Sequence, residues 1–466
     1  MISMPKRMTG LLSGSGLLAA TLLTVGGSGA AVATTAMGAP VPLAQLLSNH
    51  AFLTPPTTAD CIEQTGLACY APFQFQKAYN LGPLYKKGFT GKGETIVIVD
   101  SYGYQGIGQE LATFDKSFNL PAPPHFIVLQ PEGPIPPFNA TKRPMMVGWA
   151  QETTLDVEYS HAIAPDANIL LVETPVAETL GVTGFPQIIA AENYVINHHL
   201  GTVITQSFAA PEPTFANAQQ ILGLRSAYKN AAAHGVTVLA AAGDEGPSGP
   251  KTLTSQGFAN TYFLRRVGEW PSDDPLVTGV GGLELFLNAK GKATQPPAVW
   301  NDTALFGSPA AGGGGTSTVF ARPSYQNSVK SVVGASRGFP DISMSAAVNG
   351  AALVYLSAQA AQGTAGFYLI GGTSEASPEF SGIIAIADQM AGHGLGLINP
   401  ALYSMEAAGA PGIVDVTNGN NTVTVTQGGA THTVNGWAAV NGYDLASGVG
   451  TVNAALFVPE LVHAVH

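Results

Sequence analysis

A serine stands in the run Gly371-Gly372-Thr373-Ser374-Glu375-Ala376-Ser377-Pro378. An apolar stretch, Gly366 to Ile370, precedes it, and a helical pattern runs from Pro378 through Ile383 to Met390. That order predicts a strand, a tight turn and a helix. It presents Ser374 at a helix N-terminus, where unpaired N–H groups and the helix dipole favour a developing oxyanion. Pro378 suits the first turn of such a helix. The ordinary fate of a serine in this place is to cap the helix. A nucleophile also needs a base.

Two acids offer one. In Trp149-Ala150-Gln151-Glu152-Thr153-Thr154-Leu155-Asp156-Val157-Glu158-Tyr159, Glu152 and Asp156 are spaced i,i+4 and share one face of a helix. Carboxylates so placed repel, and the pair readily holds a proton. Glu152 can then take the hydroxyl proton of Ser374 while Asp156 orients it. A solvated acidic face is the plainer reading of any such pair. Trp149, Leu155 and Tyr159 on the same helix argue for burial instead. Farther on, Asp415 and Asp444 lie in loop-like sequence near the C-terminus. Two such carboxylates with loop carbonyls suit Ca²⁺, a hard cation that seeks oxygen. Two solvated turn aspartates would look the same.

The elements that must position these residues alternate. Continuous apolar strands are expected at Thr95–Asp100, Asn168–Val172, Thr202–Thr205 and Val236–Ala240, with helical segments between them, such as Thr214–Ala233. This pattern predicts an α/β fold, a parallel sheet flanked by helices, in a single large domain. Active sites in such folds sit at strand ends. Gly312–Gly315 reads as a flexible or close-approach segment. From about residue 412 the chain reads as hairpin and loop.

Bulk composition narrows the setting. Charged residues are only 11% of the chain against 45% hydrophobic, where about 25% charged is usual. A net charge of −11 excludes nucleic acid as an expected partner. Lys6 and Arg7, the apolar stretch Leu11–Val25 and the small residues Ala31-Val32-Ala33 form a signal-peptide pattern over residues 1–33. The apolar stretch is short and broken by Gly and Ser, so no stable membrane anchor is expected. Residues 34–58 read as a linker or short leader, and residues 59–466 as the catalytic domain. In a secreted chain Cys61 and Cys69 are expected to form one disulfide.

The Gly-Thr-Ser-Glu-Ala-Ser-Pro string resembles the nucleophile motif of the subtilisin superfamily. The run Gly235 to Gly246 resembles its oxyanion-hole segment, with Asp244 where subtilisins carry an Asn. No histidine stands in a His-Gly-Thr context to serve as base. Ser374, the Glu152/Asp156 segment, Gly243-Asp244, Ser207-Phe208-Ala209-Ala210-Pro211 and Arg337-Gly338-Phe339-Pro340-Asp341 together resemble the sedolisin family, the serine-carboxyl peptidases. The resemblance runs from about Tyr70 to Phe457.

It implies a secreted endopeptidase acting on protein or peptide substrates. Ser374 would be its nucleophile, Glu152 the general base, Asp156 the partner of that base and Asp244 the oxyanion donor. A carboxyl group donates only when protonated, and a glutamate base works only when ionised. Both hold together near about pH 4, so an acid optimum is expected. The resemblance also implies one structural Ca²⁺, held by the side chains of Asp415 and Asp444 and the carbonyls of Val416, Val440 and Gly442. Val440 stands where the family usually has Gly, and the insert Asn420–Trp437 separates the two halves of that site.

Family members are generally made with a long N-terminal pro-domain. Here the expectation is that it is absent or that a separate chain supplies it, as pro-domain or inhibitor. Ala209 takes the place of a common Gly in a cleft-lining segment. Two competing readings are a neutral-pH enzyme of the subtilisin type and a catalytically silent secreted binding protein on the same fold.

Overall fold

The computed structural model describes residues 45–46 and 51–465. The signal-peptide pattern over residues 1–33 lies outside the described residues. Within 34–58, Gln45–Leu46 forms a short strand antiparallel to Gly366–Gly371.

A central sheet organises the domain. Its strands run Phe126–Leu129, Asn168–Thr174, Thr95–Ser101, Val203–Gln206, Thr237–Ala241 and Thr278–Glu284 across the sheet, all parallel. Beyond them Ile342–Ser345 adds a further parallel strand, and Ala298–Val299 pairs antiparallel at the same border. The four expected strands are all present, each shifted or lengthened by a residue or two at its ends. Side chains alternate between two cores, as the pleat demands. Ile96, Ile98, Ile169 and Leu171 face one core, and Val97, Val99, Leu170 and Val172 face the other. Burial on both faces explains why these strands read as unbroken apolar runs.

The first core carries the helices Met145–Ile163 and Thr373–Ala391. The second carries Phe185–Asn197 and Ser226–His234. Met145–Ile163 is buried around almost its whole circumference. It crosses Thr373–Ala391 closely because Gly382 has no side chain. A Cβ there would lie 2.6 Å from the Cβ of Ile163. Beside that contact the hydroxyls of Ser160 and Ser381 meet at 3.1 Å.

Three expectations are corrected. The helix expected over Thr214–Ala233 is two helices, Ala218–Gly223 and Ser226–His234, after a 3₁₀ turn at Glu212–Thr214. Pro213 favours the tight turn, and the Asn217 side chain then caps a new start by accepting from the N–H of Gln220 at 3.3 Å. The helix after the nucleophile turn begins at Thr373, not Pro378, so Pro378 lies inside it. Lacking an N–H, Pro378 offers no helical hydrogen bond to the carbonyl of Ser374, four residues earlier. Finally, the C-terminal region holds a helix, Ala454–Val465, besides its hairpin. Ala454, Phe457, Val458 and Leu461 are buried at helical spacing, a pattern legible in the sequence. Phe457 packs 6.0 Å from Phe380 on the nucleophile helix.

The Cys61–Cys69 disulfide is formed. Among the described residues no helix is long and apolar enough to cross a membrane.

Candidate active site

The Gly366–Gly371 strand delivers the chain to Gly372, whose φ of 127° lies where side chains are strained. The helix starts at the next residue, and Ser374 falls in its first turn, fully buried. Its Oγ makes no hydrogen bond to the protein. A helix-capping serine would use that oxygen on a backbone N–H, so the capping role does not describe Ser374.

Thr373 ties the nucleophile turn to Asp244. Its N–H and its hydroxyl each donate to Asp244 Oδ1, both at 2.8 Å, and its Oγ1 accepts from the N–H of Gly243 at 3.1 Å. Asp244 follows the strand Thr237–Ala241 in a turn made possible by Gly243, φ 103°. A buried carboxyl group is thus fixed one residue from the serine.

The strand Val203–Gln206 and the residue after it tie Asp156 and the Thr373–Ala391 helix to one strand end. Thr205 Oγ1 meets Ser377 Oγ of the nucleophile helix at 2.7 Å. Two residues on, Ser207 donates to Asp156 Oδ1 at 2.8 Å. Ser374 is nearly one turn N-terminal to Ser377, about 4.5 Å along the axis. Asp156 and Ser374 therefore rise beside one strand end. Glu152, one turn before Asp156, shares its face. Both acids are fully buried, as is Asp244. The solvated acidic face is excluded.

Burial pushes the Asp156 carboxyl well above the usual range, and the negative charges of Asp100 and Glu152 push it further. The Ser207 hydroxyl partly offsets this. Asp100 itself is pushed up to about 7, by burial first and then by Glu173, against the lowering effect of Thr153. Asp100 was not singled out as a site residue in the sequence. Its signal was there: an acid closing a buried strand of a parallel sheet, where sites form. The Thr373–Ala391 helix buries two further acids. Glu375 and Glu379, on the nucleophile helix, are both raised by burial; Glu379 accepts from the Tyr79 hydroxyl at 2.7 Å. Ala209 is buried against Ala241 and so lies beside the Asp244 turn.

Asp415 and Asp444 meet one loop from two sides. Asp415 Oδ2 accepts from the N–H of Gly442 at 3.0 Å, and Asp444 Oδ2 from that of Val440 at 2.9 Å. Asp444 Oδ1 also accepts from the N–H groups of Ala446 and Ser447. Glu406 adjoins them: burial, and after it the charge of Asp415, raise its pKa, and a Cβ on Gly442 would lie 3.2 Å from its Oε1. No basic side chain among the described residues pairs with Asp415 or Asp444, and hard oxygens so placed fit a divalent cation in donor chemistry. Among the described residues no three His, Cys, Asp or Glu side chains converge on one point. A cation here would thus depend on loop carbonyls.

The sequence profile of the subtilase family matches residues 145–401, which span both site helices, and the chain belongs to that family. Within that fold the proteins it is similar to include sedolisin-type peptidases. Kumamolisin of Bacillus sp. (strain MN-32) is 30% identical over 364 residues, covering 76% of this chain and 58% of kumamolisin. Sedolisin of Pseudomonas sp. (strain 101) is 33% identical over 279 residues, covering 59% of this chain and 43% of the relative. The chain thus spans less than two thirds of the length of either. A solved structure of Pseudomonas sedolisin, a serine-carboxyl proteinase complexed with two molecules of pseudo-iodotyrostatin, superposes with a TM-score of 0.66 at 25% identity. It covers 84% of this chain and 98% of that one.

Proposed function

We propose that this chain is a secreted serine-carboxyl endopeptidase that hydrolyses peptide bonds in acid. The observation that carries the reading is the bonding of Asp244 to Thr373, beside a serine whose Oγ is not used as a cap.

In the proposed reaction Ser374 Oγ attacks the peptide carbonyl carbon, and its proton passes to ionised Glu152. The carbonyl oxygen becomes an oxyanion and accepts a hydrogen bond from protonated Asp244. Collapse breaks the C–N bond, and Glu152 returns the proton to the leaving amine. Water then attacks the acyl-enzyme ester, gives a proton to Glu152 and releases the acid. That proton returns to Ser374. Asp156, held by Ser207, orients Glu152, and Asp100 extends the acid chain beneath them. In acid the chain can hold shared protons that neutralise part of its charge.

Ser374→Ala and Glu152→Ala are each expected to abolish cleavage of an unstructured peptide, read as product by mass spectrometry. An active Ser374→Ala variant would sink the proposal.

A structural Ca²⁺ is part of the same reading. Asp415 and Asp444 would hold it with the carbonyls of Val416, Val440 and Gly442, and the ion would neutralise the acids around that loop. Chelation is expected to lower Tm by several degrees and Ca²⁺ to restore it. A Tm indifferent to both contradicts the site.

A further inference from the structure

The insert Asn420–Trp437 touches the turn that carries Asp244. It is an antiparallel hairpin of Val423–Gln427 and Ala430–Val434. Val423, Val425 and Val434 pack on Ala311. At its base stands Asn421, fully buried, with both ends of its side chain in use. Oδ1 accepts from the N–H of Trp437 at 2.8 Å and so closes the hairpin. Nδ2 donates outward, to the carbonyl of Gly312 at 3.1 Å.

Gly312 belongs to a strip that holds the Asp244 turn by its backbone. Ala311 N–H donates to the carbonyl of Asp244 at 2.8 Å, and Gly313 N–H to that of Gly243 at 2.7 Å. Gly246 N–H donates back to Ala311 at 2.9 Å. The approach is tight on both sides. A Cβ on Gly313 would lie 1.9 Å from the carbonyl oxygen of Ala242, and one on Gly246 would lie 2.4 Å from that of Asn421. The strip is thus clasped between the insert and the turn.

We infer that Asn421 is a positioning residue for the reaction. By holding the Gly312 carbonyl it fixes the strip, and through Ala311 and Gly313 it fixes the backbone from which Asp244 reaches Thr373 and the oxyanion. Misplacing a catalytic group by about 1 Å can cost about 10²-fold in rate, and an oxyanion donor acts only from hydrogen-bond distance. The catalytic part of this inference rests on the proposed role of Asp244; the mechanical coupling does not.

The test uses the full chain, with Asn421→Ala and Asn421→Asp. Asn421→Ala is expected to lower kcat on an unstructured peptide by about 10–100-fold, with KM within about twofold. Asn421→Asp keeps the acceptor for Trp437 and can donate to Gly312 only when protonated. Its activity relative to wild type should therefore be near one at pH 3 and fall toward the alanine variant as that carboxyl ionises. A purely structural role in closing the hairpin predicts a flat ratio, because the bond to Trp437 survives at every pH. A flat ratio, or kcat within twofold of wild type for Asn421→Ala, overturns the inference.

Should Asn421→Ala fail to fold, Val423→Ala trims the contact with the strip and leaves the hydrogen bonds. A several-fold loss of kcat at constant KM supports the inference, and an unchanged kcat overturns it. Amide exchange is read in parallel. Faster exchange at Gly243 and Gly246 in whichever variant folds, with Thr95–Ser101 unchanged, supports the coupling; unchanged exchange at both glycines refutes it. If wild type is inactive or Ser374→Ala is active, the peptidase reading fails, and the exchange result still decides the coupling.

Discussion

Replacing Asp244 by alanine is expected to lower kcat by about 10²–10³, with a smaller change in KM. That is the usual cost of removing one oxyanion donor. The loss has a second part here, because Asp244 also holds the residue before the nucleophile through two hydrogen bonds from Thr373. An asparagine at this position separates the two. In Asp244→Asn the amide oxygen can still accept from Thr373, and the NH₂ group can donate at any pH. That variant should lose less activity than the alanine variant. The alkaline limb of its pH profile should move toward neutrality, since the donor no longer ionises. Equal losses in both variants, with an unmoved alkaline limb, would count against a protonated Asp244.

The second large effect is on stability. Wild type is expected to be most stable at about pH 4 and below and to lose stability toward neutrality. The cause is the number of buried acids that, among the described residues, form no salt bridge. Burial raises Asp100 and Glu245 to about 7 and Asp388 to about 8. It also raises Glu158, Glu178, Glu192, Glu375 and Glu379 well above the usual range. In the unfolded chain such groups ionise near about pH 4. Between the unfolded and folded values the native state binds more protons than the unfolded one, so stability falls as pH rises. Below about pH 4 the contribution is fully present. It is lost progressively through pH 7 to 8.

One pKa unit corresponds to about 1.4 kcal/mol. A few such groups together therefore rival the roughly 5–15 kcal/mol of a typical domain. Calorimetry should show Tm falling by more than about 10 °C from pH 4 to pH 7.5. A Tm that rises over that interval contradicts the assignment of these acids as protonated.

The central strands were legible because both of their faces are buried. Thr95–Ser101 needs no amphipathic pattern, and its Val/Ile run has no competing interpretation. The strand, turn and helix around Ser374 were legible for the same reason, together with Gly371 and Gly372. What failed were features set by distant partners. Pro378 reads locally as a first-turn residue, yet the helix begins five residues earlier, where Asp244 binds Thr373. Asp100 is legible as an acid near the end of a buried strand, but its link to the pair arises only when the Met145–Ile163 helix brings Asp156 to it. Glu152 and Asp156 gave their spacing but not their environment. Only packing on all sides of their helix distinguishes a buried acid pair from a solvated face. Asn421 was invisible for a like reason, since its partner Gly312 lies 109 positions away.

The most direct test of the central claim is kcat/KM for an unstructured peptide, measured from pH 2.5 to 8 on wild type, Glu152→Gln and Ser374→Ala. Wild type should show an acid optimum that falls away before neutrality, and both variants should be inactive throughout. An optimum above about pH 7, or cleavage that survives either substitution, would contradict a serine nucleophile served by a carboxylate base.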